Sequence, residues 1–156
     1  MKKTSTDSKA IYNRRAKFDY ALGDSLTVGV ALKGAEVRAA RDQKVSLKGS
    51  FVTIRDDELW LNNTSFSLVL NQPGKPGIRS VDSEPKKLLA RRSDIDKLSA
   101  SKQSGMSIIP LKLITSGRYI KLIIALGKGK KNYDKRETLK RRDQEREASR
   151  AIKHSK

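Results

Sequence analysis

Two stretches in the last third of the chain leave few options for the fold. Ile109, Leu111 and Leu113 alternate with other residues, Ser116-Gly117 follows, and Ile120, Leu122, Ile124 and Leu126 alternate again. Apolar residues at a period of two mark a strand with one buried face, and two such runs around a glycine-containing turn predict an antiparallel hairpin. A lone hairpin cannot hold itself together in water, so its apolar face calls for further strands. Leu26, Val28, Val30 and Leu32 supply one, with Phe18 and Tyr20 extending it upstream. Residues 50–54 and 59–61 flank the polar tip Arg55-Asp56-Asp57-Glu58, and Phe66, Leu68 and Leu70 add another run, giving a meander. About six strands in some 115 residues predict a mainly β protein built on a small closed antiparallel barrel, because closure removes exposed strand edges.

Short helices are expected to flank this barrel. Residues 33–41 change to helix-compatible types, with Glu36 in the first turn, where the helix dipole favours an acid. Ser93-Asp94-Ile95-Asp96-Lys97-Leu98 opens with an N-cap residue followed by acids and predicts a helix to about Lys102, with Leu88 and Leu89 anchoring its approach. Residues 71–85 hold three of the four prolines and two glycines, which predicts a long, mobile surface loop. The first ten residues are polar and aperiodic, a mobile leader. Lys2 and Lys3 resemble the charged start of an export signal, but Ile11-Tyr12 runs straight into Asn13-Arg14-Arg15 without an apolar stretch.

After Leu126 the composition turns sharply basic, dividing the chain into a leader (1–10), a barrel domain (11–127) and a C-terminal tail (128–156). Between Glu137 and Ile152 the only sizeable apolar residues are Leu139 and Ile152 themselves, so a tail helix would lack a stripe to pack on the barrel. Glu137–Arg141 and Arg141–Glu145 are spaced for ion pairs and Arg142–Arg146 for repulsion, which makes such a helix marginal alone and open to stabilisation by RNA. The tail is therefore expected to be disordered, or helical on binding.

Charge narrows the partner. The chain carries 35 Lys and Arg against 17 Asp and Glu, a formal net charge of +18, which points to an extended polyanion. No stretch approaches the roughly 20 apolar residues of a membrane span and the tail lacks bulky apolar anchors, so nucleic acid is favoured over lipid. The absence of cysteine excludes disulfides, thiolate catalysis and zinc knuckles, and agrees with a cytoplasmic location. The one histidine, His154, lies in the tail and there is no cysteine nucleophile, so no catalytic residue is assigned. Adjacent acids at a hairpin tip diverge, so Asp56-Asp57-Glu58 is not read as a metal site; no metal or cofactor is expected.

Two places are candidates for RNA contact. Gly127-Lys128-Gly129-Lys130-Lys131 lacks the spacing of a nucleotide-binding loop and instead suits a flexible basic strap, with glycines allowing backbone approach to phosphates and lysines displacing counterions. Tyr133 beside it offers a ring for base stacking. On the first predicted helix, Gly34, Arg38 and Arg41 share a face at spacings of four and three, a surface suited to an RNA backbone. Glu36 on this helix has three readings: capping the dipole, accepting hydrogen bonds from base edges, or positioning an arginine.

In order, Asn13-Arg14-Arg15-Ala16-Lys17-Phe18-Asp19-Tyr20, Leu32-Lys33-Gly34-Ala35-Glu36-Val37-Arg38, Pro110-Leu111-Lys112-Leu113 and Gly127-Lys128-Gly129-Lys130-Lys131-Asn132-Tyr133-Asp134-Lys135-Arg136 resemble the SsrA-binding protein family, SmpB, over residues 11–150. The resemblance implies an oligonucleotide-binding-like barrel that binds the tRNA-like domain of transfer-messenger RNA (tmRNA). It implies an adaptor, acting as a monomer and without catalysis, that delivers tmRNA to ribosomes stalled on message lacking a stop codon. Asn13, Arg14, Gly34, Glu36, Val37, Arg38 and, by its helix face, Arg41 would form or support the tmRNA surface, with Val37 as packing. Lys128, Lys130, Lys131, Tyr133, Asp134, Lys135 and Arg136 would engage ribosomal RNA in the small-subunit decoding region and vacant mRNA channel. Residues 80–89 depart from the family's usual Asn-His-Asp-Pro and Arg-rich element, and Ala40 replaces a usual leucine, thinning the helix's apolar face. The alternative is a general basic ribosome-associated RNA-binding protein; an RNA hydrolase is disfavoured by its missing chemistry.

Overall fold

The computed structural model describes residues 10–72, 74–115 and 117–154, so the leader before Ala10 and Ser116 of the expected turn lie outside the described residues, as does the side chain of His154. In chain order the elements are β1 (Ala10–Tyr12), α1 (Ala16–Asp19), β2 (Tyr20–Val30), α2 (Gly34–Arg41), β3 (Val45–Ser46), β4 (Phe51–Arg55) and β5 (Glu58–Asn62). There follow β6 (Ser65–Gln72), β7 (Lys75–Asp82), β8 (Lys86–Leu89), α3 (Arg92–Ser101), β9 (Met106–Ile114), β10 (Lys121–Gly129) and α4 (Asn132–His154).

The barrel closes as expected with one exchange: the run at Phe66–Leu70 lies outside it in a second sheet, and Lys86–Leu89, read as the approach to a helix, supplies the sixth strand. β9, β10, β2, β8, β5 and β4 form an antiparallel ring, sealed where Val52 of β4 pairs with Ile108 of β9. Inside it Val28, Val52, Leu59, Leu61, Leu88, Ile108, Leu113, Leu122 and Ile124 are buried in one core. β1 adds to β9 beyond the ring, and β3, β6 and β7 make a separate three-stranded sheet on which α2 packs. The hairpin tip at Asp56 and Asp57 is a two-residue turn with φ of 48° and 61°, the mirror-image geometry that suits strand twist.

One register shift decides how β9 can serve three neighbours. Lys112 pairs with Ile123 and Pro110 with Ile124, so Leu111 bulges out of the ladder. A bulge also tolerates Pro110, which has no N–H to give. Asn13 fills the gap: its backbone N–H donates to the Leu111 carbonyl at 2.8 Å and its Nδ2 to the Pro110 carbonyl at 2.9 Å.

Several expectations need correction. Residues 71–85 are not a long loop: β7 pairs with β6 from Phe66↔Asp82 to Gln72↔Lys75. β7 is an edge strand, where proline removes no ladder bond that matters, and Gly77 at φ 80° supplies the irregular backbone. Phe18 is not in a strand but in the single helical turn of α1, which ends in extended backbone at Tyr20. Helix α3 starts earlier than expected: Arg91 takes the N-cap position without a side-chain capping bond, leaving Ser93 inside the first turn. Ala40 is fully buried, so the small side chain lets α2 sit close on β6 instead of weakening its packing.

The strap reading also changes. Gly127, Lys128 and Gly129 are strand residues of β10, paired with Leu22, Ala21 and Tyr20. A Cβ on Gly127 would lie 3.0 Å from Tyr20 Cβ and 3.2 Å from Leu22 Cδ2, whereas one on Gly129 meets nothing within 4 Å. Gly127 therefore serves close strand packing. Gly127→Val is expected to cost about 1–3 kcal/mol by overpacking and to lower the thermal midpoint by several degrees, while Gly129→Ala stays within about 0.5 kcal/mol of wild type. Thermal unfolding of the two variants checks this.

Candidate nucleic-acid interface

Helix α2 presents the arginine face that the spacing predicts. Gly34, Arg38 and Arg41 are exposed, and space above Gly34 is open. Arg41 Nη2 donates to the Gly117 carbonyl at 3.3 Å, which ties the end of α2 to the β9–β10 turn. That contact brings in a group the sequence reading missed: Tyr119 is 68% exposed with the Arg118 guanidinium 5.7 Å from its ring centre. Neither residue belongs to a periodic run, so only the Arg41 contact reveals them. Val37 is half-buried against the core, as packing requires.

Glu36 does not reach this surface. It is 1% exposed, and its Oε2 accepts the Lys33 backbone N–H at 2.7 Å, closing the first turn of α2. Its Oε1 accepts from Lys86 Nζ at 2.7 Å, and the same ammonium holds Asp82 Oδ2 at 2.8 Å. Lys86 is itself 5% exposed and lies 5.6 Å from the centre of the Phe66 ring. Of the three roles open to Glu36, helix capping holds, and base contact is excluded in this conformation because no carboxylate oxygen faces solvent. Lys33 Nζ adds a looser, exposed pair to Glu84 at 3.7 Å.

The six proposed tmRNA residues thus fall into separate places. Gly34, Arg38 and Arg41 share the exposed face of α2, Glu36 lies on the buried face of the same helix, and Asn13 and the exposed Arg14 sit beside Ser46, Leu47 and Lys48. Asn13 acts in the β9 bulge as described.

In the tail, α4 is helical over 23 residues. Its root is fixed: the Lys130 backbone N–H donates to the Asp19 carbonyl at 2.9 Å, Lys130 Nζ to the Lys17 carbonyl at 3.1 Å, and Lys135 pairs with Asp19 at 3.3 Å. Asp134 accepts the Lys131 N–H at 3.2 Å, capping the first turn. These bonds use Lys130, Asp134 and Lys135, while the side chains of Lys128, Lys131, Tyr133 and Arg136 make no hydrogen bond or ion pair among the described residues. Tyr133 is 60% exposed. Beyond the root the helix is exposed almost throughout, and its own ion pair is Asp143–Arg146 at 4.0 Å.

The acids set aside as metal ligands have cationic partners: Asp57 pairs with Arg92 at 2.8 Å and Glu58 with Lys87. No described helix is long and apolar enough to cross a membrane.

The Lys86 ammonium and the Glu84 backbone N–H hold the Asp82 carboxyl well below its ordinary 3.8, at about 2. A carboxyl with a lowered folded-state value stabilises the fold above about pH 4 and loses that contribution as pH falls through about 2. The shift corresponds to about 2 kcal/mol. Asp82→Asn should therefore flatten the fall in stability between about pH 4 and pH 2, measured by urea unfolding across that range; an unchanged acid limb would remove Asp82 from the account.

Comparison with known proteins finds matches over nearly the whole chain. The family model described as SmpB protein matches residues 10–154. The chain is 38% identical over 151 residues to the SsrA-binding protein of Lactiplantibacillus plantarum, covering 95% of this chain and 94% of that protein. It is 40% identical over 147 residues to the SsrA-binding protein of Bacillus subtilis, covering 92% and 90%. A chain of a solved structure presented as "tmRNA-SmpB: a journey to the center of the bacterial ribosome" is 34% identical with a TM-score of 0.59, covering 79% of this chain and 85% of that one.

Proposed function

Because the chain belongs to the SmpB protein family, we propose that it is the adaptor that binds the tRNA-like domain of tmRNA and delivers it to stalled ribosomes for trans-translation. The observation that carries this reading is the family match over residues 10–154, which takes in both the barrel and the basic tail. The protein works in the cytoplasm as a binding protein and has no catalysis of its own. The exposed α2 face, Gly34, Arg38 and Arg41, binds the tRNA-like domain, with Glu36 holding the helix in place from below. Two modules follow from the distribution of charge: a barrel that carries tmRNA, and a tail whose Lys128, Lys131, Tyr133 and Arg136 meet ribosomal RNA in the decoding region and mRNA channel. Lys130, Asp134 and Lys135 set the angle at which that tail leaves the barrel.

Affinity for polyanions alone does not separate this adaptor from a general basic RNA-binding protein, since any chain of this charge binds RNA in a salt-dependent way. At matched salt the chain should bind tmRNA at least about tenfold more tightly than elongator tRNA, a difference of about 1.4 kcal/mol. Equal affinities by fluorescence anisotropy would favour the general RNA-binding protein.

The modules can be separated by a cut that the fold dictates. Truncation after Lys131 keeps β10 whole and the Lys130 contacts to α1 intact. The truncated chain should bind tmRNA within about threefold of the full chain, about 0.6 kcal/mol, yet fail to support tagging of a stalled nascent chain in a reconstituted translation system. Tagging that survives the cut would refute the role given to the tail.

A further inference from the structure

An RNA-binding face calls for cations, yet an exposed acid stands at each end of the α2 face, and neither acid serves the stability of the fold. Glu84, in the turn between β7 and β8, reaches Lys33 Nζ at 3.7 Å, just ahead of the first residue of α2. The two side chains are 71% and 78% exposed, and a loose ion pair in water adds almost nothing to stability. Asp42 holds the C-cap of the same helix. The negative end of the helix dipole lies there, so an acid at this position weakens the helix instead of supporting it. Asp42 also follows Arg38 by four residues, the spacing at which acid and arginine pair, but its exposed carboxylate makes no hydrogen bond or ion pair among the described residues.

Both acids are held in place by the backbone around them. The Glu84 N–H donates to Asp82 Oδ1 at 2.8 Å, and the buried Lys86 holds Asp82 in turn. The Asp42 N–H donates to the Arg38 carbonyl at 2.9 Å, which keeps it in line with the last turn of α2. Between them the helix from Gly34 to Arg41 spans about 10 Å. Arg38 and Arg41 lie inside that strip, and the space above Gly34 is open. A backbone that crosses the strip, or turns away within it, meets cations alone. A regular duplex laid along α2 is longer than the strip and brings phosphates against the acid at one end or both. Selectivity is a difference of affinities, and a group that repels the wrong ligand contributes to it as much as one that attracts the right one. A chain of net charge +18 attracts any RNA, so discrimination calls for groups that repel.

We propose that Glu84 and Asp42 are specificity-determining residues, two repulsive ends that confine RNA to the α2 strip and exclude continuous duplex. This rests on the reading of α2 as the face for the tRNA-like domain. Glu84 acts in two ways, by repelling phosphate and by keeping Lys33 engaged. Asp42, with no cation of its own, acts by repulsion only.

The test measures binding of the full-length chain to the tRNA-like domain of tmRNA and to a blunt RNA duplex longer than the strip, at matched salt, by fluorescence anisotropy, with elongator tRNA as a reference for wild type. The variants are Glu84→Gln, Asp42→Asn and, as a control for net charge, Asp24→Asn, which removes an exposed acid of β2 in the groove beside α3. Glu84→Gln and Asp42→Asn are each expected to tighten duplex binding about two- to fivefold, the scale of one like charge a few ångströms away in water, and to leave the tRNA-like domain within about twofold. Glu84→Gln should also steepen the salt dependence of duplex binding by about one unit, since Lys33 is released to displace a counterion, while Asp42→Asn leaves it unchanged. Asp24→Asn should keep the ratio of the two affinities at its wild-type value. Equal gains on both RNAs, or a duplex gain for Asp24→Asn that matches the other two, would reduce the acids to net charge and overturn the proposal. Thermal midpoints should stay at or above that of wild type; a fall for Glu84→Gln and Asp42→Asn would return the acids to a structural role and overturn it as well. Failure of wild type to prefer the tRNA-like domain over elongator tRNA would instead strike the adaptor reading, and the duplex measurements alone would then decide for or against the acids.

Discussion

The Lys86 ammonium connects three parts of the molecule that backbone hydrogen bonds leave separate. It belongs to β8 of the barrel, it binds Glu36 of α2, and it binds Asp82 at the end of β7 in the small sheet. Moving these charges out of water costs several kcal/mol per ion, so the cluster is tolerable only because nearly every oxygen has a donor. Glu36 is met by the Lys33 N–H and by Lys86, and Asp82 by the Glu84 N–H and by Lys86. A set of charges that must all be satisfied together fixes geometry more narrowly than apolar packing does. That geometry sets the tilt of α2, and with it the outward direction of Arg38 and Arg41. An acid with no access to solvent therefore bears on the proposed RNA surface through the helix it holds.

The same principle, a polar group closing a gap that the ladder leaves, appears at the Leu111 bulge. β9 must pair with β1, β4 and β10, and a straight strand cannot turn toward all three. The bulge bends it, and Asn13 takes up the carbonyls of Pro110 and Leu111 that the bend exposes. Asn13 and Glu36 both match family motifs, yet their partners here are protein groups. What these motifs hold in common is a chain path.

The barrel was legible because its signal is periodic. Alternation at Leu26–Leu32 and Ile120–Leu126 translates directly into one buried face, and antiparallel strands in that length close into a ring, although the run at Phe66–Leu70 went to the small sheet and β8 took its place. β7 was illegible for the opposite reason: it is an edge strand paired along one side with β6, so it shows no apolar alternation, and an edge strand admits the proline and glycine that read as loop. α1 is a single turn, too short for any period to show. Within the proposed interface, Arg38 and Arg41 could be placed by helical spacing alone, whereas Lys86 and Tyr119 come in through contacts across 50 or more residues. Lys86 meets Glu36 across 50 positions. No local pattern encodes such a meeting.

The tail shows how a helix with no apolar stripe can persist. Nucleating a helix is its costly step, since several residues must be fixed for the first bond. Here the protein fixes them: Lys130 is pinned to α1 by two hydrogen bonds, Asp134 caps the opening turn, and Lys135 reaches back to Asp19. Propagation beyond that point needs only ordinary helix formers, and residues 137–150 are mostly Arg, Glu, Lys and Gln together with Ala and Leu. The result is a rod about 35 Å long at 1.5 Å per residue, anchored at one end and exposed along its length. A rod already nucleated loses less conformational entropy on entering a narrow RNA-lined channel than a disordered tail would.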